Sequence, residues 1–153
     1  MSCCLTIPTR VGLIAIYGAL SITKIRWTNR PRVSDAAELQ KARDQITDYF
    51  RGTLRNFDLS LNPSGTEFQL AVWERILLIP YGTTSTYGEL ADELRTSARA
   101  VGRACATNPI PLLIPCHRVI SKKGALTGYS GGGGLQTKRL LLSFEKNQAR
   151  DPS

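Results

Sequence analysis

The chain is poor in the residues that build metal centres and disulfide frameworks. Its 153 residues include one histidine and four cysteines. Cys3 and Cys4 are adjacent, whereas Cys105 and Cys116 stand apart, a spacing that fits neither a disulfide framework nor a zinc site. We therefore expect reduced thiols, no bound metal and no other cofactor. Reduced thiols favour a cytoplasmic or nuclear compartment.

Long apolar runs are also missing. No segment approaches the ~20 apolar residues that a membrane-spanning helix requires. The N-terminus has no signal-peptide pattern, since the charge of Arg10 appears before any long apolar core. We expect a soluble, intracellular protein that does not contact membranes and is a monomer.

Acidic residues are absent from one long stretch. Between Arg95 and Phe144 the chain has eight Lys or Arg residues and no Asp or Glu, within a net charge of +8. A basic surface can simply keep a protein soluble. A stretch of this length without a carboxylate instead favours a polyanionic partner, and nucleic acid is the first candidate.

The first part of the chain predicts a small α+β unit over residues 1–62. Val11–Tyr17 and Ile22–Trp27 are apolar and β-branched, with Gly18 between them, and predict a hairpin. This unit contains no concentration of reactive side chains, so we expect it to be a structural domain. Its other predicted elements are a helix capped by Ser34 with Leu39, Ala42, Ile46 and Phe50 on its buried face and Gly52 at its end, and a short strand over 57–61.

The second part, residues 63–153, is predicted to be helical. A short helix from Tyr87 to Leu94, capped by Ser85 or Thr86, is followed by a turn and a helix from Ala98 to Thr107. Two short helices with basic residues on one side are typical of a helix-turn-helix unit, although an ordinary helical hairpin has the same spacing. The predicted fold class is α+β, with a winged helix-turn-helix-like C-terminal domain. Two flanking helices complete it: Thr66–Leu78, with Phe68, Val72, Trp73 and Ile76 on one face, and Gln136–Phe144, with Leu140, Leu141 and Phe144 inward.

The segment Pro115-Cys116-His117-Arg118 places a thiol beside the single histidine and a cation. Such surroundings can lower a cysteine pKa to ~3.5–7.5 and produce the nucleophilic thiolate. The alternative is that Cys116 is a small buried hydrophobic residue. A working base must reach the thiol proton directly or through one water. Glu145 is the carboxylate that we expect to orient His117.

Several motifs, in order, resemble the O6-alkylguanine-DNA alkyltransferases. The most specific is Pro115-Cys116-His117-Arg118-Val119-Ile120, preceded by Arg99-Ala100-Val101-Gly102 and by Asn108-Pro109. Tyr87-Gly88-Glu89-Leu90-Ala91 and Gly128-Tyr129-Ser130 also fit the family. The resemblance is strong over residues 65–146 and weak before them.

The resemblance implies repair by direct reversal. The protein would bind double-stranded DNA that contains an alkylated guanine, flip the base, and transfer the alkyl group irreversibly to Cys116. O4-alkylthymine would be a further substrate. The implied catalytic residues are Cys116, His117 and Glu145. The implied substrate-binding residues are Tyr87, Asn108, Val119 and Ser130. The expected DNA-binding residues are Arg99, Arg103 and Arg118, although Arg103 stands where members of the family usually carry a small residue.

Other functions remain open at this stage. A lesion sensor or DNA-binding regulator would use the same helices without the chemistry, although the sensors related to this family replace the reactive cysteine. A cysteine hydrolase could use Cys116, His117 and Glu145, but the basic helices would then have no role. The glycine run 131–134 lacks a phosphate-loop signature, and we expect it to form a flexible pocket wall.

Overall fold

The structure is a computed structural model that describes residues 3–124 and 128–150. The chain divides into two compact units, the first ending at Ser64 and the second beginning at Gly65. In the described ranges, no helix is long and apolar enough to cross a membrane. The observed arrangement of strands and helices is α+β, which confirms the predicted fold class.

The first unit contains a three-stranded antiparallel sheet rather than the predicted hairpin. Its strands are β1 (Cys3–Thr9), β2 (Gly12–Gly18) and β3 (Ile22–Trp27), with β2 in the centre. The sequence interpretation missed β1 because Pro8 lies within it. Proline is tolerated on an edge strand, where one side of the backbone has no ladder partner.

Helix α1 (Ala37–Arg51) begins later than predicted and covers the sheet. Ser34 is not its cap: the Ser34 hydroxyl accepts a hydrogen bond from the Ala36 N–H at 3.1 Å, before the helix starts. The end at Gly52 is confirmed by a φ of 82°, which glycine adopts without strain. The four predicted inward residues are buried, together with Tyr49.

The predicted strand over 57–61 was wrong. Only Leu61 forms a bridge, with Ile22, the first residue of β3. The backbone N–H of Ile22 donates to Ser60 and that of Asn62 donates to Ile22. The segment 57–61 therefore pairs with the sheet at one bridge and does not form a continuous ladder of backbone hydrogen bonds.

The second unit is built on helices with side-chain caps. Thr66, Thr86 and Ser97 each accept a hydrogen bond from a backbone N–H in the first turn of the following helix. A short parallel pair of strands joins Ser85 and Thr86 to Val119 and Ile120, which directly follow the Cys116 turn. The elements are α2 (Glu67–Leu77), β4 (Ser85–Thr86), α3 (Tyr87–Leu94), α4 (Ala98–Ala106), β5 (Val119–Ile120) and α5 (Gly134–Ala149).

Two predicted core residues lie at the surface. Phe68 is 38% exposed at the start of α2, and Leu140 is 49% exposed on α5. Helix α5 is longer than predicted, and its buried face follows Thr137, Lys138, Leu141 and Glu145. Polar side chains therefore occupy much of the inward face that apolar periodicity assigned to leucine.

The glycine run forms the turn at which α5 begins. Gly133 has a φ of 85° at the cap position, and Gly134 is the first helical residue. The hydroxyl of Thr137 donates back to the carbonyl of Gly132 at 2.5 Å. This turn places Ser130 before the helix that carries Lys138 and Glu145.

Candidate active site

Asn108 shapes the segment that leads from α4 to the thiol. Its amide donates to the carbonyl of Ile114 at 2.9 Å, and its side-chain oxygen accepts from the N–H of Ile110 at 2.9 Å. Leu112, between them, has a φ of 78°. A buried leucine in this left-handed region costs about 1–3 kcal/mol, so the surrounding contacts must hold the loop in place. Asn108 thus links the end of α4 to the residue before Pro115.

Cys116 begins a single 3₁₀ turn and is 3% exposed. Its sulfur lies 3.9 Å from the hydroxyl oxygen of Ser130. Burial raises the pKa of Cys116, while hydrogen bonds to Asn108 and Ser130 and the charge of Lys138 act in the opposite direction. Since burial dominates, the resting residue is a protonated thiol that needs a base.

His117 is buried and joined to Glu145 by a hydrogen bond of 2.7 Å between Nε2 and Oε2. Burial lowers the pKa of His117, although the Glu145 carboxylate opposes that shift. The imidazole is therefore neutral at neutral pH. Tyr129 packs edge-on against the ring, with centroids 6.5 Å apart.

Glu145 is ionised in this setting. Burial alone would raise its pKa, but hydrogen bonds and charges from His117 and Arg118 lower it to about 2. A carboxylate can only accept hydrogen bonds, so Nε2 of His117 must carry the proton. The other ring nitrogen, Nδ1, is buried and has no hydrogen-bonding partner among the described residues. That nitrogen holds the lone pair that can accept a proton.

Arg118 lies in the protein interior and not at a DNA-facing surface. It is 6% exposed. Its Nε donates to Oε1 of Glu145 at 2.8 Å and its Nη2 to Oε2 at 3.0 Å, while Nη1 donates to the carbonyl of Ile79 at 2.8 Å. The DNA contact predicted for Arg118 was wrong, because a carboxylate from α5 occupies the guanidinium. The sequence spacing could not reveal this ion pair.

Lys138 was missed by the sequence interpretation. It is fully buried, and its ammonium donates to the hydroxyl of Tyr87 at 3.3 Å and to the carbonyl of Gly128 at 3.4 Å. Burial lowers the pKa of Lys138, and the nearby thiols of Cys116 and Cys105 oppose this. One signal was available: Lys138 lies two helical turns before Glu145, so the two share a face.

The predicted DNA-binding helix presents its arginines to solvent. Arg99 and Arg103 are both exposed on α4. Arg99 also lines a cavity of about 360 Å³ between α4 and the start of α3. The lining residues are Tyr87, Ala98, Arg99, Gly102, Cys105, Ala106 and Gly128.

The structure brings some of the predicted site residues together and leaves others apart. Cys116, His117, Glu145, Asn108 and Ser130 form one connected cluster. Tyr87 joins it through Lys138. The two exposed arginines lie outside these hydrogen bonds, and Val119 is buried in β5, where it pairs with Ser85 of β4. Within the described residues, no group of three or more His, Cys, Asp or Glu is arranged to hold a metal ion.

Comparison with known proteins extends this picture. Residues 67–147 match the family described as 6-O-methylguanine DNA methyltransferase, DNA binding domain. The methylated-DNA–protein-cysteine methyltransferase of Mycobacterium tuberculosis is 46% identical, over 94% of this chain and 92% of that protein. The inducible methyltransferase of that name from Bacillus subtilis is 43% identical, over 78% of this chain and 66% of the relative.

Solved structures of proteins of the same kind resemble this chain along most of its length. The crystal structure of the Mycobacterium tuberculosis O6-methylguanine methyltransferase covers all of this chain and 96% of its own, with a TM-score of 0.88 and 40% identity. A structure of the Mycobacterium tuberculosis protein in complex with DNA has a TM-score of 0.85 and 42% identity, over 95% of this chain and 93% of its own.

The fold and the sequence matches define a DNA-repair methyltransferase with a DNA-binding domain. The chain belongs to the methylated-DNA–protein-cysteine methyltransferase family, and it is an enzyme of that kind. The family resemblance of its motifs is thereby confirmed.

Proposed function

We propose that this chain repairs O6-alkylguanine in duplex DNA by moving the alkyl group onto the sulfur of Cys116. The observation that carries the proposal is the buried Glu145–His117 pair beside a buried thiol. Glu145 holds the proton on Nε2 of His117 across 2.7 Å and leaves Nδ1 free to accept another. Thiol, base and orienting carboxylate are the three parts that an activated nucleophile requires.

Deprotonation is the first step. The thiol proton passes to Nδ1 of His117, through one water if the two side chains point apart, as sequence neighbours often do. The resulting imidazolium lies against the ionised Glu145, which stabilises the positive charge. Lys138 and the hydroxyl of Ser130 stabilise the thiolate, since both favour the charged form of Cys116.

Alkyl transfer follows by in-line displacement. The thiolate forms a carbon–sulfur bond with the alkyl carbon while the bond from that carbon to O6 breaks. The bonding electrons remain on the guanine, which takes a proton from the hydroxyl of Tyr87. Lys138, 3.3 Å from that hydroxyl, stabilises the phenolate and supplies the replacement proton. The thioether is stable, so each molecule acts once.

We infer from the burial of Cys116 that the damaged base leaves the duplex. A thiol that is 3% exposed cannot reach an atom inside stacked base pairs. Extruding the nucleotide costs a few kcal/mol, and less for a poorly paired lesion. We propose that Arg99 occupies the vacated stack and that Arg103 contacts a phosphate. The relative that has been solved in complex with DNA supports DNA as the partner.

The remaining residues of the cluster position the base. We propose that the carbonyl of Val119 accepts from the exocyclic amine of guanine, and that Ser130 lies near the leaving oxygen. Asn108 keeps the loop before Cys116 in place. The displacement needs only an alkyl group on an exocyclic oxygen of the base. O4-alkylthymine is therefore a second proposed substrate. All of these residues belong to 63–153, which we propose as the DNA-binding and alkyl-transfer domain.

The intact mass of the protein tests the proposal. The full chain is incubated with a duplex that contains one O6-methylguanine, and in parallel with an undamaged duplex and with one O4-methylthymine. We expect a stoichiometric gain in mass equal to one CH2, because a methyl group replaces the thiol hydrogen. The gain should lie on the peptide that contains Cys116 and occur only with the damaged duplexes. The Cys116→Ala variant should bind DNA and gain no mass.

Other outcomes would overturn the proposal. Tight binding of the lesion without a gain in mass would identify a sensor. A gain in mass on another cysteine would remove Cys116 from its role. Repeated turnover of the damaged duplex by one molecule of protein would contradict a stable thioether.

A further inference from the structure

The outer face of the N-terminal sheet carries positive charge that the proposed site does not use. The first 34 residues contain five cations, Arg10, Lys24, Arg26, Arg30 and Arg32, and no acidic residue. Four of them, Arg10, Arg26, Arg30 and Arg32, are exposed, and Lys24 is half-buried. This acid-free stretch precedes the basic stretch of the second unit and is separate from it.

Strand register divides the sheet into two unlike faces. Leu5, Ile7, Ile14, Ile16 and Ile25 are buried on the inner side. Side chains alternate along a strand, so their neighbours point outward. Two rows cross the outer face from β1 to β3: Cys4, Tyr17 and Lys24 in one, and Thr6, Ala15 and Arg26 in the other. Of these, Ala15 is itself buried.

Three cations converge on Tyr17. The ammonium of Lys24 lies 4.6 Å from the centre of the Tyr17 ring. Burial and Cys4 raise the pKa of the Tyr17 hydroxyl, while the charges of Arg26 and Arg32 lower it. Arg26 and Arg32 are therefore close enough to this hydroxyl for their charges to act on it.

Backbone contacts hold Arg32 beside the sheet. Its N–H donates to the hydroxyl of Thr6 at 3.0 Å, and its carbonyl accepts from the Thr6 N–H at 3.1 Å. The row that begins with Thr6 on β1 thus extends outward to Arg32. The cationic surface formed by Lys24, Arg26 and Arg32 is therefore held by β3, which carries Lys24 and Arg26, and by β1, to which Arg32 is bonded.

These cations differ from those of helix α1 in the same unit. On α1, Lys41, Arg43 and Arg51 each form an ion pair, with Asp58, Asp44 and Asp48 respectively. The sheet segment from Cys3 to Ser34 itself contains no Asp or Glu. Like charges that are held together without an acid repel one another, and a bound polyanion would relieve that repulsion.

We propose that this sheet face, formed by Lys24, Arg26 and Arg32 around Tyr17, binds the phosphate backbone of duplex DNA as a second contact surface. The inference rests on the proposed function, since that function makes DNA the partner. It gives the N-terminal unit a role in binding in addition to the structural one predicted from its sequence. The contacts would be independent of base sequence, because they reach phosphates and not base edges.

Neutralising two of the arginines tests the surface in the full chain. Arg26→Gln with Arg32→Gln is compared with Arg43→Gln and Arg51→Gln, which removes the same charge from α1. Affinity for an undamaged duplex is measured over a series of salt concentrations. We expect the sheet pair to weaken binding about tenfold at low salt and to flatten the log–log salt slope by about two, at ~0.9 for each phosphate that is no longer neutralised. The α1 pair should leave the slope close to that of the unaltered chain.

An assay of alkyl transfer by the unaltered chain distinguishes failure of this inference from failure of the proposed function. If the sheet pair binds DNA like the α1 pair while the unaltered chain still gains a methyl group, the inference is wrong and the proposed function stands. If the unaltered chain gains none, the proposed function fails whatever the sheet does. Melting curves check that each variant is folded. The single variants Arg26→Lys and Arg32→Lys keep the positive charge and should retain the salt slope of the unaltered chain. Vesicles of anionic lipid that lose affinity for the sheet pair, with DNA binding unchanged, would assign the surface to membranes and overturn the inference.

Discussion

Arg118 holds both carboxylate oxygens of Glu145, with Nε 2.8 Å from Oε1 and Nη2 3.0 Å from Oε2. The same carboxylate accepts the Nε2 proton of His117 at 2.7 Å. One acidic side chain from α5 therefore fixes the base and neutralises a buried cation. Residues that are adjacent in sequence, His117 and Arg118, are joined a second time through a residue far along the chain.

Replacing Glu145 should lower both the free energy of unfolding and the rate of alkyl transfer, for two different reasons. Glu145→Gln leaves Arg118 buried without its counter-charge, which typically costs about 3–5 kcal/mol. It also removes the carboxylate that stabilises the imidazolium, and we expect transfer to slow by about 100-fold. Urea denaturation and single-turnover rates measure the two effects.

A double variant serves as the control. Adding Arg118→Met to Glu145→Gln removes the unpaired charge, so part of the lost unfolding free energy should return while the transfer rate stays low. A double variant that regained the rate would show that the carboxylate acts only through folding. DNA affinity and its salt slope should not respond to Arg118→Met alone, because this guanidinium is buried.

Acid should destabilise the folded protein through Glu145. Its folded pKa is about 2, against an ordinary value of 4.5, so the unfolded chain binds the proton first as the pH falls. The stabilisation is complete above about pH 4.5 and is lost between there and about pH 2, and the difference corresponds to about 3 kcal/mol. The lowered pKa of His117 acts in the same direction below its ordinary value of 6.5.

The pH dependence of unfolding checks that sign. Glu145→Gln should show a shallower loss of unfolding free energy from pH 4.5 downward than the unaltered chain. Glu74→Gln, at an exposed position of α2, should retain the full slope. Equal slopes for all three proteins would contradict the lowered pKa of Glu145.

Removing the charge of Lys138 should make Cys116 less reactive. Lys138 lowers the pKa of the Cys116 thiol and donates to Tyr87 at 3.3 Å. We expect Lys138→Met to slow transfer from a free O6-alkylguanine base and to move its pH profile to more alkaline values. Arg139→Met, at the adjacent exposed position, is the matched control and should react normally. An unchanged pH profile for Lys138→Met would remove this lysine from the chemistry.

Arg99 should matter for duplex DNA and little for the free base. Arg99→Ala should reduce the rate on a damaged duplex by at least about tenfold, because flipping costs a few kcal/mol without a residue to fill the stack. Its rate with free O6-alkylguanine should change little. Arg103→Ala should instead weaken all duplex binding and reduce the salt slope by about one. Equal losses on both substrates for Arg99→Ala would exclude the flipping role.

Much of the site was predictable because its residues are close in sequence. The order Pro-Cys-His-Arg and the helices α3 and α4 follow from local patterns, and the structure confirms the predicted cap at Thr86. Strand β1 was missed because proline lowers the local strand signal, although Pro8 fits the edge of a sheet. The exposure of Phe68 and Leu140 shows a further limit, since apolar periodicity does not reveal which face finds a partner.

The sequence by itself determined the reactive residue types, the capped helices, the acid-free stretches and the family. Tertiary structure alone decided that Arg118 pairs inside the protein, that Lys138 is buried beside Tyr87, and that Glu145 is ionised. The reason is physical. Local patterns depend on neighbours along the chain, whereas burial and ion pairing depend on which distant charges share the same low-dielectric space.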